Sequence, residues 1–123
     1  MNRIFIQIAS YRDPQLKITI DDCISNAKHP ENLIFGICNQ YHPEDKFNID
    51  DYRGDSRFRI IDVLYSDAKG VCWARNQVQQ VYGGEKYTLQ IDSHMRFEKD
   101  WDIELIRSEE HTSELQSRQY LVC

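Results

Sequence analysis

Four short hydrophobic runs alternate with amphipathic stretches along the 123-residue chain. The runs cover residues 3–9, 33–38, 58–65 and 87–91, and β-branched and aromatic side chains are frequent in them. Runs of this length and composition, bounded by polar residues, predict buried strands. The stretch after the first run places five side chains on one face of a predicted helix: Leu16, Ile20, Cys23, Ile24 and Ala27. The stretch after the third run does the same with Val71, Ala74, Val78 and Val81.

The expected limits of both helices carry recognisable end signals. Asp13 followed by Pro14 predicts an N-cap and a first helical position, and His29-Pro30 ends that helix. Ser66-Asp67 is the expected cap of the second helix, which Gly83-Gly84 ends. Residues 39–57 are polar and predict a long loop with a short helix. The alternation predicts an α/β fold, a Rossmann-like, mostly parallel sheet with flanking helices and with ligands at the carboxyl ends of its strands.

Composition and charge narrow the class of protein. Hydrophobic residues make up 41% of the chain and the net charge is -5, which predicts one globular domain without general affinity for nucleic acid or anionic membranes. No stretch approaches the roughly 20 apolar residues of a membrane span, and the opening lacks the features of a signal peptide. Cys23, Cys38 and Cys72 form no CxxC pair, so we expect buried, reduced thiols in a cytoplasmic protein.

The end of the chain has a different character. Residues 107–117 read RSEEHTSELQS, which resembles the translation of a common sequencing-library adapter, and residues 118–123 fit the barcode and flanking bases that follow it. We therefore expect residues 107–123 to be a non-native tail and residues 1–106 to be the partial domain. This removes His111 and Cys123 as candidate ligands. The alternative on composition alone is an ordinary amphiphilic C-terminal helix.

The strongest local signal for chemistry is Asp92-Ser93-His94 after the fourth predicted strand. Residues two apart in an extended chain point the same way, so Asp92 and His94 can share one cation. A carboxylate with an imidazole suits a borderline divalent ion such as Mn²⁺ better than Ca²⁺, and that ion would bridge the diphosphate of a nucleotide sugar. The alternative is an aspartate that caps a turn beside a solvated histidine.

Two further segments are candidates for binding the donor. One segment is a turn at Gly70, between Asp67 and Arg75, that leads into a helix. Backbone N–H groups at the start of this helix can hold an anion, and Arg75 can reach a phosphate. The alternative is a plain turn followed by a surface charge. After the first strand, Ser10, Tyr11, Arg12 and Asp13 occupy the place where α/β folds contact nucleotides. Tyr11 can stack on a base there, and Asp13 can bond the base or ribose or serve only as an N-cap.

Together the segments IASYRDP, DDCISNAKHPENLIFGIC, DAKGVCWARN and LQIDSHMRFEKDWD resemble the opening half of the GlcNAc family of glycosyltransferases. The resemblance covers roughly residues 4–106. Its characterised members are polypeptide α-N-acetylglucosaminyltransferases that act on hydroxyproline of a cytosolic protein. The resemblance implies a GT-A fold, UDP-GlcNAc as donor, a divalent metal and retention of anomeric configuration.

By the same resemblance, Asp92 and His94 take the metal, and Ser10, Tyr11, Arg12, Asp13, Asp67, Gly70 and Arg75 surround the donor. A further metal ligand and the half that binds the polypeptide acceptor are expected downstream, so we expect this chain to bind donor without transferring sugar. A non-catalytic nucleotide- or sugar-binding α/β module is the alternative.

Overall fold

A computed structural model describes residues 2–111 and 121–122, and its centre is a parallel sheet of four strands. The strands are β1 (Ile4–Tyr11), β2 (Leu33–Tyr41), β3 (Phe58–Leu64) and β4 (Tyr87–Ile91). Their order across the sheet is β3-β2-β1-β4, and every neighbouring pair is parallel. The predicted parallel α/β sheet is therefore confirmed, and β4 has the predicted bounds.

Three α-helices flank this sheet. They are α1 (Leu16–Asn26), α2 (Val71–Gln79) and α3 (Trp101–His111). Single 3-10 turns lie at Pro30–Asn32, Asp50–Tyr52 and Tyr65–Asp67, and a small antiparallel pair joins β5 (Arg96–Phe97) to β6 (Leu121–Val122). None of the described helices has the length and apolar character needed to cross a bilayer.

The alternation of side chains in β1 divides the core into two layers. Ile4, Ile6 and Ile8 face one layer with the apolar faces of α1 and α3, whereas Phe5 faces the other layer with α2. The predicted apolar face of α1 is confirmed, and so is that of α2 from Ala74 onward. Val71 is the exception, because its position in the first turn leaves it 55% exposed.

Both β1 and β2 extend beyond their predicted ends. Ser10 pairs with Asn39 and Tyr11 with Gln40, so four polar residues expected in loops belong to the sheet. Hydropathy misses them because the ladder of backbone hydrogen bonds between parallel strands does not depend on apolar side chains. Polar side chains at this edge therefore point alternately to the two faces of the sheet.

The helix starts differ from the prediction in an informative way. Helix α1 begins at Leu16, yet Asp13 Oδ1 accepts a hydrogen bond from the Gln15 N–H at 2.9 Å, which is the contact an N-cap makes. The predicted cap of α2 was wrong. Ser66 and Asp67 lie in the 3-10 turn, and Gly70, at φ 98°, precedes α2 without any side-chain cap.

The structure also bears on the predictions for the cysteines and for the C-terminal segment. Cys23 and Cys38 are buried free thiols as predicted, but Cys72 is exposed because it lies on the outer side of α2. Helix α3 continues past Ile106 to His111, and Glu110 accepts a hydrogen bond from the Tyr87 hydroxyl at 2.8 Å. Residues 112–120 and 123 of the expected tail lie outside the described residues, and the adapter origin of this segment stays a prediction.

Candidate functional site

The carboxyl ends of β1 and β4 meet where the strand order reverses. The chain adds β2 and β3 on one side of β1 and then returns to place β4 on the other, and such a point is where open α/β sheets bind ligands. Asp13 joins the two ends. Its Oδ2 accepts a hydrogen bond from Ser93 Oγ at 2.6 Å and lies 3.2 Å from His94 Nδ1.

Helix α1 also fixes the loop that carries Asp92-Ser93-His94. Thr19 is fully buried in α1, donates to the Ser93 carbonyl oxygen at 2.8 Å and accepts from the Met95 N–H at 3.0 Å. One hydroxyl thus holds both sides of His94 in the main chain. The rigid helix therefore sets the position of the predicted metal residues.

Two opposing influences set the pKa of the Asp13 carboxyl. Its partial burial raises the pKa, but hydrogen bonds from the Ser93 hydroxyl, the Gln15 backbone and His94 outweigh burial and hold the pKa below its ordinary value. Asp13 is therefore ionised at neutral pH. An ionised carboxylate only accepts hydrogen bonds, which defines the direction of each contact around it.

Asp92 and His94 flank Ser93 and differ from it in exposure. Both are exposed whereas Ser93 is buried, and the chain bends at Ser93 and His94 instead of continuing as a strand. The Asp92 carboxylate has no side-chain hydrogen bond or ion pair within the described residues. His94 uses Nδ1 toward Asp13, which leaves Nε2 available.

Whether Asp92 and His94 bind a cation depends on ligands beyond these two side chains. Carboxylate oxygen and imidazole nitrogen are ligands that Mn²⁺ accepts. Across the described ranges no group of three His, Cys, Asp or Glu residues is placed to hold a metal ion. A cation there would take its remaining ligands from a bound molecule or from water.

One pocket opens beside this junction on the face of the sheet that carries α1. We call it the α1-side pocket; its volume is about 350 Å³. It is lined by Ser10, Arg12, Asp13, Pro14, Leu16, Lys17, Asn39, Gln40, Tyr41, His42, Pro43, Asp45, Phe47, Asn48, Ile49, Asp50, Arg53 and Asp62.

Every arginine and lysine that lines the α1-side pocket has a carboxylate partner. Arg12 binds Asp45 with two nitrogens, the shorter contact being 2.9 Å. Arg53 reaches Asp62 at 2.8 and 2.9 Å. It also reaches Asp50 at 2.7 Å, and Lys17 contacts Asp21 at 3.1 Å. These pairs already neutralise the cations that an anionic ligand would need.

The Arg12 pair also shapes the chain after β1. Arg12 adopts φ 48°, in the left-handed region, and its N–H donates to the Gln40 carbonyl oxygen at 2.8 Å. The hydrogen bond from Arg12 lowers the pKa of the Asp45 carboxyl and raises that of the Arg12 guanidinium. Both groups are therefore charged at neutral pH and hold residues 42–45 against the start of the Asp13 turn.

A second pocket of about 330 Å³ lies on the other face of the sheet. We call it the α2-side pocket; it is lined by Ala9, Tyr11, Gln40, Tyr65, Ala68, Gly70 and Val71. Tyr11 is 52% exposed, so its ring is available to a ligand, whereas Tyr65 is 37% exposed and its ring packs against the His42 imidazole with the centroids 4.3 Å apart. Gln40 is shared by both pockets, and its side chain donates to the Ser10 carbonyl oxygen at 3.0 Å.

The structure divides the predicted donor residues between the two pockets. Tyr11 and Gly70 line the α2-side pocket, whereas Ser10, Arg12 and Asp13 line the α1-side pocket. The reason is the alternation of side chains along β1, which sends Ser10 and Tyr11 to opposite faces.

Asp67 and Arg75 line neither pocket but lie beside the α2-side pocket. Asp67 is between Tyr65 and Ala68, and Arg75 is one helical turn after Val71 and shares its face. The Arg75 side chain makes no hydrogen bond or ion pair in the part of the chain that the structure describes.

Four residues that organise the site were missed by the sequence analysis. Thr19, Gln40, Asp45 and Ser93 hold the loops through side-chain hydrogen bonds. Thr19 had a detectable signal, because it lies three residues after Leu16 on the apolar face of α1. Gln40 and the Arg12 contact of Asp45 leave no local pattern, since these partners lie 30 and 33 residues away in sequence.

Comparison with known proteins gives one family. The profile of the family described as Glycosyltransferase (GlcNAc) matches residues 3–52 and 47–121, whereas no curated protein matches the chain significantly. The second segment runs past the boundary expected after Ile106, so this match does not mark a native end there. The two segments span the sheet, both pockets and the Asp92-Ser93-His94 loop, and the chain belongs to the GlcNAc family of glycosyltransferases.

Proposed function

We propose that this protein binds UDP-GlcNAc across the carboxyl edge of its sheet, for retaining, metal-dependent transfer of N-acetylglucosamine to a polypeptide hydroxyl such as that of hydroxyproline. Membership of a glycosyltransferase family implies a nucleotide-sugar donor. The observation that carries the finer proposal is the contact of Asp13 with Ser93 and His94. This contact brings the segment after β1 together with the Asp92-Ser93-His94 loop, at the point where the strand order reverses.

The base and ribose are assigned to the α2-side pocket. Tyr11 offers an exposed ring on which a base can stack, and Tyr65, whose ring also contacts His42, lines the same pocket. The pocket volume of about 330 Å³ is at the lower end of the range for small-molecule sites, which suits one nucleoside.

We assign the diphosphate to the start of helix α2, between Gly70 and Arg75. Helix α2 begins without a side-chain cap, so the first N–H groups of the helix can bond an anion. Arg75 has no carboxylate partner among the described residues and can donate two parallel hydrogen bonds to phosphate oxygens. On the α1 side, by contrast, Asp13 already accepts the hydrogen bond of the Gln15 N–H before the helix, and Arg12, Lys17 and Arg53 each have a carboxylate partner.

Asp92 and His94 would hold Mn²⁺. The ion would neutralise charge on the departing UDP. Its missing ligands would come from the diphosphate, so metal and nucleotide should bind with positive coupling. Of the described residues after Ile106, none lines either edge pocket, and we propose that residues 107–123 contribute nothing to donor binding.

The test is calorimetry with UDP-GlcNAc, with and without Mn²⁺, against UDP-glucose and UDP-GalNAc as competitors. We expect binding that Mn²⁺ strengthens and that favours UDP-GlcNAc. Transfer is measured separately with labelled donor and a hydroxyproline peptide, and the anomeric configuration of the product by NMR. A protein that binds none of the three nucleotides with or without Mn²⁺ would contradict the proposal.

A second candidate is a non-catalytic nucleotide- or sugar-binding module. The observation that favours it is that no third metal-binding side chain accompanies Asp92 and His94 within the described residues. UDP binding that is indifferent to Mn²⁺, together with no hydrolysis of UDP-GlcNAc, would identify this second function.

A further inference from the structure

We infer that Asp13 is a positioning residue for the cation site: it fixes the tautomer and orientation of His94 so that Nε2 faces the metal, and it does not bind the base or ribose. This inference rests on the proposed metal role of Asp92 and His94. It reassigns Asp13, which the sequence placed among the donor contacts, to the support of a metal ligand.

The geometry around the carboxylate carries the argument. Asp13 Oδ1 is engaged by the Gln15 N–H at 2.9 Å, and Oδ2 receives the Ser93 hydroxyl at 2.6 Å and faces His94 Nδ1 at 3.2 Å. Both oxygens therefore have partners from the protein. The side chain is only 18% exposed, whereas that of His94 is 66% exposed. The imidazole is offered to solvent while the carboxylate lies behind it.

The direction of the hydrogen bond fixes the tautomer. A carboxylate only accepts, so the neutral imidazole must carry its hydrogen on Nδ1 to bond Asp13. The lone pair then resides on Nε2, the nitrogen that points away from Asp13. Histidines that bind metals commonly donate their other nitrogen to a carboxylate in this way. Thr19 holds the main chain on both sides of His94, so the backbone that carries the ring is fixed beside Asp13.

Replacement of Asp13 by asparagine reverses this arrangement. The Gln15 N–H needs an acceptor, which keeps the amide oxygen toward Gln15 and turns the amide nitrogen toward His94. A donor facing Nδ1 favours the tautomer with hydrogen on Nε2, which blocks the metal-binding nitrogen. Asp13→Ser keeps a capping oxygen but is too short to reach His94.

The experiment measures the His94 tautomer by ¹⁵N NMR of the metal-free protein, at a pH where the imidazole is neutral, and Mn²⁺ affinity by EPR. Wild type should show the Nδ1–H form and Asp13→Asn the Nε2–H form, with Mn²⁺ affinity lowered about 10- to 100-fold. Asp13→Ser should show mixed tautomers and an intermediate affinity. Asp62→Asn, which removes a carboxylate bonded to Arg53 in the same pocket, should change neither reading.

The outcomes separate this inference from the proposed function. An unchanged tautomer in Asp13→Asn, or equal Mn²⁺ affinity in wild type and both Asp13 variants, would overturn the positioning role alone. A wild-type protein that binds no Mn²⁺ even with UDP present would overturn the metal site and the inference with it. Thermal unfolding of each variant checks that the fold is retained, and Asp13→Ser supplies the test if Asp13→Asn does not fold.

Discussion

The two pockets at the carboxyl edge have similar volumes but opposite electrostatic character. In the α1-side pocket, the three basic side chains Arg12, Lys17 and Arg53 are all bonded to aspartates. The α2-side pocket is lined by uncharged residues that include two tyrosines, and neighbouring Arg75 has no carboxylate partner among the described residues. The number of charges near a pocket is therefore a poor guide to anion binding, because only unpaired donors remain for a ligand.

This contrast also explains how one short segment serves both pockets. Ser10, Tyr11 and Arg12 are consecutive, yet Tyr11 points to the opposite face from its neighbours. On the α1 side these residues are held by side-chain contacts: Arg12 donates a hydrogen bond to Asp45, and Asp13 contacts His94. On the α2 side, the exposed Tyr11 remains available to a ligand. In the proposed function, support and donor binding therefore lie on opposite faces of one sheet.

We expect the largest effect at the proposed cation, which would link a nucleotide in the α2-side pocket to the Asp92-Ser93-His94 loop. Asp92→Asn should abolish the coupling between Mn²⁺ and UDP, which for a shared diphosphate we expect to be about 10- to 100-fold in UDP affinity. The fold should be unchanged because Asp92 is exposed and makes no side-chain hydrogen bond or ion pair with the described residues. Calorimetric titration of UDP at several Mn²⁺ concentrations measures it.

The control for that variant is Asp51→Asn, an exposed aspartate beside Lys17 on the α1 side. It should leave the coupling intact. If both variants retained full coupling, the cation would have to bind elsewhere, and the metal assignment to Asp92 and His94 would be lost.

A slightly smaller effect is expected at Arg75. Arg75→Ala removes the one unpaired arginine beside the α2-side pocket and should weaken UDP binding about 10-fold or more, since hydrogen bonds to charged groups contribute about 1.5–3 kcal/mol. Uridine without phosphate should bind both forms equally. Arg53→Ala is the matched control on the α1 side, where Asp50 and Asp62 hold the guanidinium. Equal losses of UDP affinity in the two variants would erase the contrast between the pockets.

Next comes the stacking surface. Tyr11→Ala should weaken binding of UDP and of uridine alike by about 5- to 10-fold or more, because stacking on an aromatic ring contributes about 1–3 kcal/mol per base. Tyr11→Phe should retain the affinity. Tyr41→Ala is the matched comparison, since Tyr41 is an exposed tyrosine at the end of β2 that lines the α1-side pocket. Competition with a fluorescent uridine analogue measures both, and a larger loss for Tyr41 would place the base on the wrong side of the sheet.

The fold was more accessible to sequence reasoning than the site. All four strands and the apolar face of α1 follow from runs such as residues 87–91, because hydrophobic burial leaves a periodic local record. The site depends on contacts such as Ser93 with Asp13 and Thr19, which lie 80 and 74 residues away in the chain. A single sequence carries no local record of such pairs.

The prediction that Ser10, Tyr11 and Arg12 form one loop was wrong for a related reason. Placing Ser10, Tyr11 and Arg12 in one binding loop assumed that β1 ended at Ala9. The strand continues to Tyr11, and two further ladder pairs, Ser10 with Asn39 and Tyr11 with Gln40, send neighbouring side chains to opposite faces. An error of two residues at a strand end thus changes which side chains share a pocket, although it leaves the fold assignment intact.

The smallest expected effect is at Arg12, and it is the sharpest test of the comparison because sequence reasoning assigned this residue to the donor. Arg12 already gives its guanidinium to Asp45 and its backbone N–H to Gln40. A phosphate would have to compete with an ionised carboxylate that is held in bidentate geometry. We therefore expect Arg12→Ala to change UDP affinity by less than about twofold, because an interaction that Arg12 does not make with the ligand cannot be lost. A second variant, Arg12→Ala with Asp45→Ala, removes the pair without leaving Asp45 unpaired. It should behave as the single variant does toward UDP, while residues 42–45 become more susceptible to proteolysis because their tie to β1 is gone. The measurements are calorimetry with UDP and limited proteolysis of the three proteins. If Arg12→Ala weakened UDP binding more than tenfold while uridine binding stayed constant, Arg12 would leave Asp45 to hold the phosphates, and the α1-side pocket would be the site of the diphosphate.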